Sequence, residues 1–117
     1  MVLDTTQGIT TLALQHSLGA EGGDALHQSV LDLLENGHRA LVVDLLDITR
    51  IDAAGLGQLV RAYMAVCDRG GELRIVACRQ VREVLSRTRL TTVVPTYASR
   101  ADARASFASY LSCSTSV

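Results

Sequence analysis

The sequence predicts a single α/β domain on a mixed, mostly parallel sheet of four or five strands with about four helices. Apolar runs of strand character alternate with segments whose apolar residues recur at helical spacing. Turn signals at Gln7-Gly8, Asn36-Gly37 and Gly70-Gly71 separate them. At 117 residues, 48% hydrophobic and 20% charged, the chain has the size and composition of one globular domain.

Residues 2–6 and 9–15 read as two strands of a hairpin turning at Gln7-Gly8. Residues 17–23 are glycine-rich and read as a connector, with a helix from Asp24 that sets Leu26, Val30, Leu33 and Leu34 on one side. Asn36-Gly37 closes it as a left-handed cap. Residues 40–45 form an almost continuous apolar run, which suits a central strand covered on both faces. The chain is expected to turn through residues 47–51, with Ile51 tucked under the next helix.

That helix begins at the most informative stretch, Asp52-Ala53-Ala54-Gly55-Leu56-Gly57. Its apolar face is read as Leu56, Leu59, Val60, Tyr63, Met64 and Cys67. Asp52 is the natural N-cap, since its carboxylate accepts first-turn N–H bonds and sits at the positive end of the helix dipole. Gly70-Gly71 stops the helix, residues 72–77 make a strand, and Val81, Val84 and Leu85 mark a shorter helix. A last strand is placed at residues 93–96, where Pro95 fits only an edge or an end. Ser99-Arg100-Ala101-Asp102 approximates a capping box before a helix carrying Ala105, Phe107, Ala108 and Leu111. The domain is taken as residues 1–111, with 112–117 a polar, frayed tail.

The net charge of −1 is unevenly spread: residues 1–49 carry seven acids and one base, Arg39, whereas residues 50–117 carry ten arginines and five acids. Arg74, Arg79, Arg82, Arg87 and Arg89 form either a basic patch or an ordinary solvated face. Four aromatics, Tyr63, Tyr97, Phe107 and Tyr110, are too few for a base-stacking surface, so nucleic acid is not an expected partner. Cys67, Cys78 and Cys113 show no Cys-x-x-Cys pairing and read as reduced cytoplasmic thiols, the first two on apolar faces. No apolar run is long enough to cross a bilayer.

Catalytic chemistry is not assembled in the sequence. Gly55-Leu56-Gly57 lacks the third glycine of a dinucleotide fingerprint, and residues 19–23 lack the Gly-Lys-Ser/Thr of a phosphate-binding loop. His16, His27 and His38 have no ligand partner at helical or hairpin spacing, and read as surface or loop residues. Asp44, Asp47 and Asp52 cluster near one strand end, where capping and loop hydrogen bonds explain them better than a cation. No nucleophile stands beside a base, so a non-enzyme without metal or cofactor is expected.

Residues 41–52, then Ala53-Ala54-Gly55-Leu56-Gly57, then Gly70-Gly71-Glu72-Leu73-Arg74-Ile75-Val76 resemble the STAS domain of bacterial anti-sigma factor antagonists. The family pattern is a hydrophobic strand ending in Asp-Leu, then Asp-Ser-Ser/Thr/Ala-Gly-Leu-Gly, a helix, and Gly-Gly opening the next strand. The resemblance covers residues 9–107. It implies a cytoplasmic regulatory module that docks on an anti-sigma factor/serine kinase through Asp52, Ala53, Ala54, Gly55, Leu56 and Gly57, flanked by Ser17 and Glu21. A bulky residue at Gly55 is then expected to block docking and spare the fold. The serine phosphorylated in switching members is here Ala53, so that modification has no acceptor oxygen; Ser17, Thr49 and Thr88 are where a displaced one would fall. The alternative is a STAS scaffold subunit of a signalling assembly or lipid-transport ATPase, bound to other STAS or transporter subunits. A homodimer is compatible with either.

Overall fold

The computed structural model describes residues 2–6, 8–87 and 94–107. In chain order the elements are β1 (Val2–Thr6), β2 (Ile9–Leu18), α1 (Ala20–Glu35), β3 (Ala40–Ile51), α2 (Ala53–Asp68), β4 (Glu72–Val76), α3 (Arg79–Arg87), β5 (Thr96–Tyr97) and α4 (Arg100–Ala105). The five strands lie in the order β1-β2-β3-β4-β5, with β1 antiparallel to β2 and every other pair parallel. The mixed, mostly parallel sheet and the four helices agree with the expected class.

The central strand is buried where the sequence is continuously apolar, from Ala40 to Leu45. Leu41, Val43 and Leu45 point to one face, where they meet Leu26, Val30 and Leu34 of α1, Leu59, Ala62 and Val66 of α2, and Val81 and Leu85 of α3. Ala40 and Val42 point to the other face and meet Ile9, Val76, Ala103 and Phe107. Helices α1 and α2 both end in paired 6→1 and 5→2 bonds. His38 and Gly37 donate to the Leu33 and Leu34 carbonyls, and Gly71 and Gly70 to those of Val66 and Cys67. Gly37 (φ +89°) and Gly70 (φ +73°) supply the left-handed residue each motif needs.

Four expectations are corrected. The glycine-rich connector is almost absent: β2 runs to Leu18, Gly19 is the N-cap, and α1 begins at Ala20, so Gly22 and Gly23 are helical. Packing selects this, because a β-carbon on Gly23 would stand 2.7 Å from the Gln58 β-carbon. The turn after residue 45 does not form either; β3 continues to Ile51 because β2 continues beside it, pairing Gln15 with Asp47 and Leu18 with Ile51 across two register shifts.

The buried face of α2 is Gly55, Leu59, Ala62 and Val66, with Leu56 and Tyr63 half-buried. Val60, Met64 and Cys67 face solvent. The true stripe is rotated by one residue, ~100°, because small residues let this helix approach the sheet. The last strand is Thr96–Tyr97, just past Pro95, whose carbonyl accepts from the Ile75 N–H. Val93, Arg89, Ala108, Leu111, Cys113 and residues 112–117 lie outside the described residues.

Of the arginines read as either a patch or a solvated face, Arg74 is engaged inside the fold. The Arg74 side chain is 12% exposed and its guanidinium lies 4.7 Å over the Phe107 ring. It donates to Ser106 Oγ at 3.0 Å and Glu72 Oε2 at 2.8 Å. It therefore fastens β4 to the end of α4 and leaves the α3 arginines.

Candidate functional site

Strands β2 and β3 end side by side, and each feeds a helix, so two helix starts converge at one end of the sheet. This is the end where open parallel sheets place their ligands and partners. Backbone contacts weld the two starts together. The Asp52 N–H donates to the Leu18 carbonyl at 3.2 Å. Gly55 lies so close to the end of β2 that a β-carbon there would sit 1.9 Å from the same carbonyl oxygen. No side chain fits at Gly55.

Asp52 caps α2 as expected: its Oδ1 accepts the Gly55 N–H at 2.8 Å while its own carbonyl accepts from Leu56 at 3.0 Å. Its other carboxylate oxygen lies toward Gly19, 3.1 Å from where a β-carbon would be. Between the helix starts, the Gln58 amide donates to Asp24 Oδ1. Ser17, Leu18, Gly19, Arg50, Ile51 and Asp52 line an open cleft of about 290 Å³.

The residues expected to dock divide into two groups. Asp52, Ala53, Ala54 and Gly57 are exposed, as are Ser17 and Glu21. Gly55 is buried and Leu56 half-buried, so Gly55 gives the turn its shape without offering surface. The idea that a bulky residue at Gly55 would spare the fold fails on the 1.9 Å contact. Gly57 is the accessible position, where a β-carbon would meet nothing within 4 Å. Arg50, Asp24 and Gln58 also belong to this end of the molecule, and sequence reasoning missed them. Past Leu45 the burial of β3 recurs at every third residue, not every second, so no strand alternation signalled Arg50; the Asp24–Gln58 clasp needed the helix pairing.

The three aspartates near this strand end have separate fates. Asp44, 4% exposed, accepts from the Leu46 N–H at 2.9 Å and pairs with Arg100. Asp47 is exposed on β3 and Asp52 is the cap. Among the described residues no group of His, Cys, Asp or Glu could hold a metal ion. His38 is half-buried, with Nδ1 3.1 Å from Thr10 Oγ1, and so ties the α1–β3 loop to β2. Farther along α2, the Tyr63 hydroxyl titrates above its ordinary range, first because of its hydrogen bond with the Cys67 thiol and then through burial.

The family model for the STAS domain matches residues 1–103. This chain belongs to the STAS domain family. Solved structures share the fold of this STAS domain. A candidate anti-sigma factor antagonist from Thermotoga maritima superposes with a TM-score of 0.82 at 24% identity, covering 90% of this chain and 92% of that one. An anti-sigma factor antagonist from Mycobacterium paratuberculosis gives 0.79 at 22% identity, covering 90% of each chain. A sulfate transporter family protein from Wolinella succinogenes gives 0.72 at 16% identity, covering 86% and 84%. No curated protein matches the sequence significantly. Among the described residues no helix is long and apolar enough to cross a membrane.

Proposed function

We propose that this STAS domain is a regulatory binding module of the anti-sigma factor antagonist kind. It docks the Asp52–Gly57 end of α2, with Ser17 and Glu21 beside it, on an anti-sigma factor that is also a serine kinase. The observation that carries the reading is the start of α2. Its cap is satisfied internally by Asp52, and Ala53, Ala54 and Gly57 stand exposed with nothing larger than a methyl group on them. Such a tip admits close approach of a partner backbone. Neither alanine has an oxygen to receive a phosphate, which would bring about two negative charges to a docking surface. The module therefore binds as a form that the kinase cannot switch off at residue 53.

Affinity capture from a lysate of the source cells, comparing the wild-type chain with Ala53→Asp and Gly57→Trp, tests the reading. Recovery of an ATP-binding anti-sigma factor by the wild type, lost in both variants, is expected. With that kinase and ATP, Ala53→Ser should take up phosphate at residue 53 while the wild type takes up none there. Transfer to Ser17, Thr49 or Thr88 of the wild type would remove the constitutive character. The similarity to a transporter-family STAS fold favours a second reading, a scaffold subunit. Recovery of transporter or assembly subunits, indifferent to Ala53→Asp, would establish that one instead.

A further inference from the structure

We propose that the far end of β3 and the start of α3 form a groove for an extended peptide segment of a partner. The peptide adds to β3 as a strand and carries an aliphatic side chain and a carboxylate about four positions apart. Strand β3 outruns one of its neighbours: it pairs with β4 only from Ala40 to Asp44, whereas β2 accompanies it to Ile51. Residues 46–51 therefore have a strand on one side and, among the described residues, none on the other. An edge of this kind offers backbone donors and acceptors to an incoming chain.

Helix α3 packs against β3 and leaves a cleft of about 260 Å³ between them. Ile48 and Val81 are buried and form its floor, while Leu46 and Val84, 40% and 36% exposed, stand at its lips. Each of the two register shifts with β2 places one extra residue in β3, between Asp44 and Asp47 and between Ile48 and Arg50. Such bulges re-aim side chains, and the consecutive residues Arg50 and Ile51 both line this cleft.

The lining selects the occupant. Among the described residues Arg50 is the single charged group that lines the cleft, and it is exposed and makes no ion pair. The charges nearby do not answer it. Asp47 and Arg82 lie outside the lining, Asp52 lines only the adjoining cleft, where it caps α2, and Glu83 pairs with Arg79 at 3.4 Å. A carboxylate from the partner supplies the countercharge, and an aliphatic side chain fills the space between Leu46 and Val84. Leu46 and Arg50 lie at most ~13 Å apart along the strand, which sets the spacing of the two groups in the peptide. A free small molecule is the poorer fit, because the cleft is below the ~300 Å³ at which enclosed ligand sites begin. Arg50 and Ile51 also line the cleft beside the start of α2. The groove thus adjoins the turn proposed to dock on an anti-sigma factor, without depending on that reading.

Selection from a phage-displayed library of random peptides on the wild-type chain, with counter-selection on Arg50→Glu, tests the proposal. The enriched peptides should share an aliphatic residue and an Asp or Glu about four positions apart. A synthetic peptide of that consensus should bind Arg50→Glu at least about tenfold more weakly than the wild type, and should recover when its acid is exchanged for lysine. Val84→Asp should weaken it by a similar factor. Both residues are exposed, and circular dichroism will verify that the variants fold. In the complex the amides of residues 46–51 should exchange with solvent more slowly. No peptide surviving counter-selection, a consensus without the acid, or an affinity that lysine does not restore overturns the proposal. Binding that leaves residues 46–51 unprotected overturns the addition of a strand. These measurements use the chain and synthetic peptides alone, so their failure would leave the antagonist reading standing.

Discussion

On one side of the sheet Leu41, Val43 and Leu45 disappear under three helices, and the contacts there are almost wholly aliphatic. On the other side a smaller cluster, Ile9, Ala40, Val42, Val76, Ala103 and Phe107, is roofed by the short α4. Arginines pin that roof: Arg100 to the Asp44 carboxylate, Arg104 to the Thr6 carbonyl at 3.3 Å, and Arg74 to Ser106 and over Phe107. The first side draws its stability from apolar area removed from water and the second from directed polar contacts around a thin apolar layer. Burial energy is insensitive to salt and intolerant of shape change, whereas ionic pinning weakens with screening.

The largest effect is expected where the helical side admits no volume at all. Gly55→Ala should destabilise by about 4 kcal/mol or prevent folding, because its methyl group would collide with the Leu18 carbonyl; urea titration will measure it. Leu59→Ala, emptying a fully buried site on the same side, should cost about 3 kcal/mol with no dependence on salt. Arg100→Met leaves the buried Asp44 carboxylate with only the Leu46 N–H among its described bonds. It should cost about 2 kcal/mol, and added salt should narrow the gap between this variant and the wild type. Equal losses from Leu59→Ala and Arg100→Met, with equal salt response, would erase the distinction between the two sides.

Amide hydrogen exchange followed by mass spectrometry sharpens it further. Peptides from residues 100–107 should exchange at least about tenfold faster than those from 53–68, and faster again in high salt. The smallest effect is expected at Gly57→Ala. The added methyl meets nothing within 4 Å, so stability should stay within about 1 kcal/mol of wild type, on the stabilising side, because alanine favours the helix over glycine.

Much of the helical side was legible in the sequence, because its determinants are local. Asp52 announces the start of α2, Asn36-Gly37 and Gly70-Gly71 announce two helix ends, and residues 40–45 announce a doubly covered strand. What was not legible depended on partners distant in sequence. Gly22 and Gly23 disfavour a helix by about 1 kcal/mol each, and the helix forms through them because Gln58 packs against Gly23. Residues 46–51 lack an unbroken apolar run, yet they stay extended because β2 pairs with them. Large side chains mislead about the phase of α2, because it is the small Gly55 and Ala62 that mark the buried face. The roles of Asp44 and Arg100 required the chain to return over 56 residues. At the candidate site, the sequence located the turn but could not separate exposed Gly57 from buried Gly55, two glycines a single residue apart.

The bond from the Asp52 N–H to the Leu18 carbonyl and the closeness of Gly55 to that same atom join the end of β2 to the first turn of α2. On the docking reading proposed above, an element held in this way has no folding left to do when a partner arrives. The entropy of ordering it has already been spent in folding the domain, so association loses little to immobilising backbone. Encounter should then be limited by orientation, and differences among partners should appear mainly in how fast they leave.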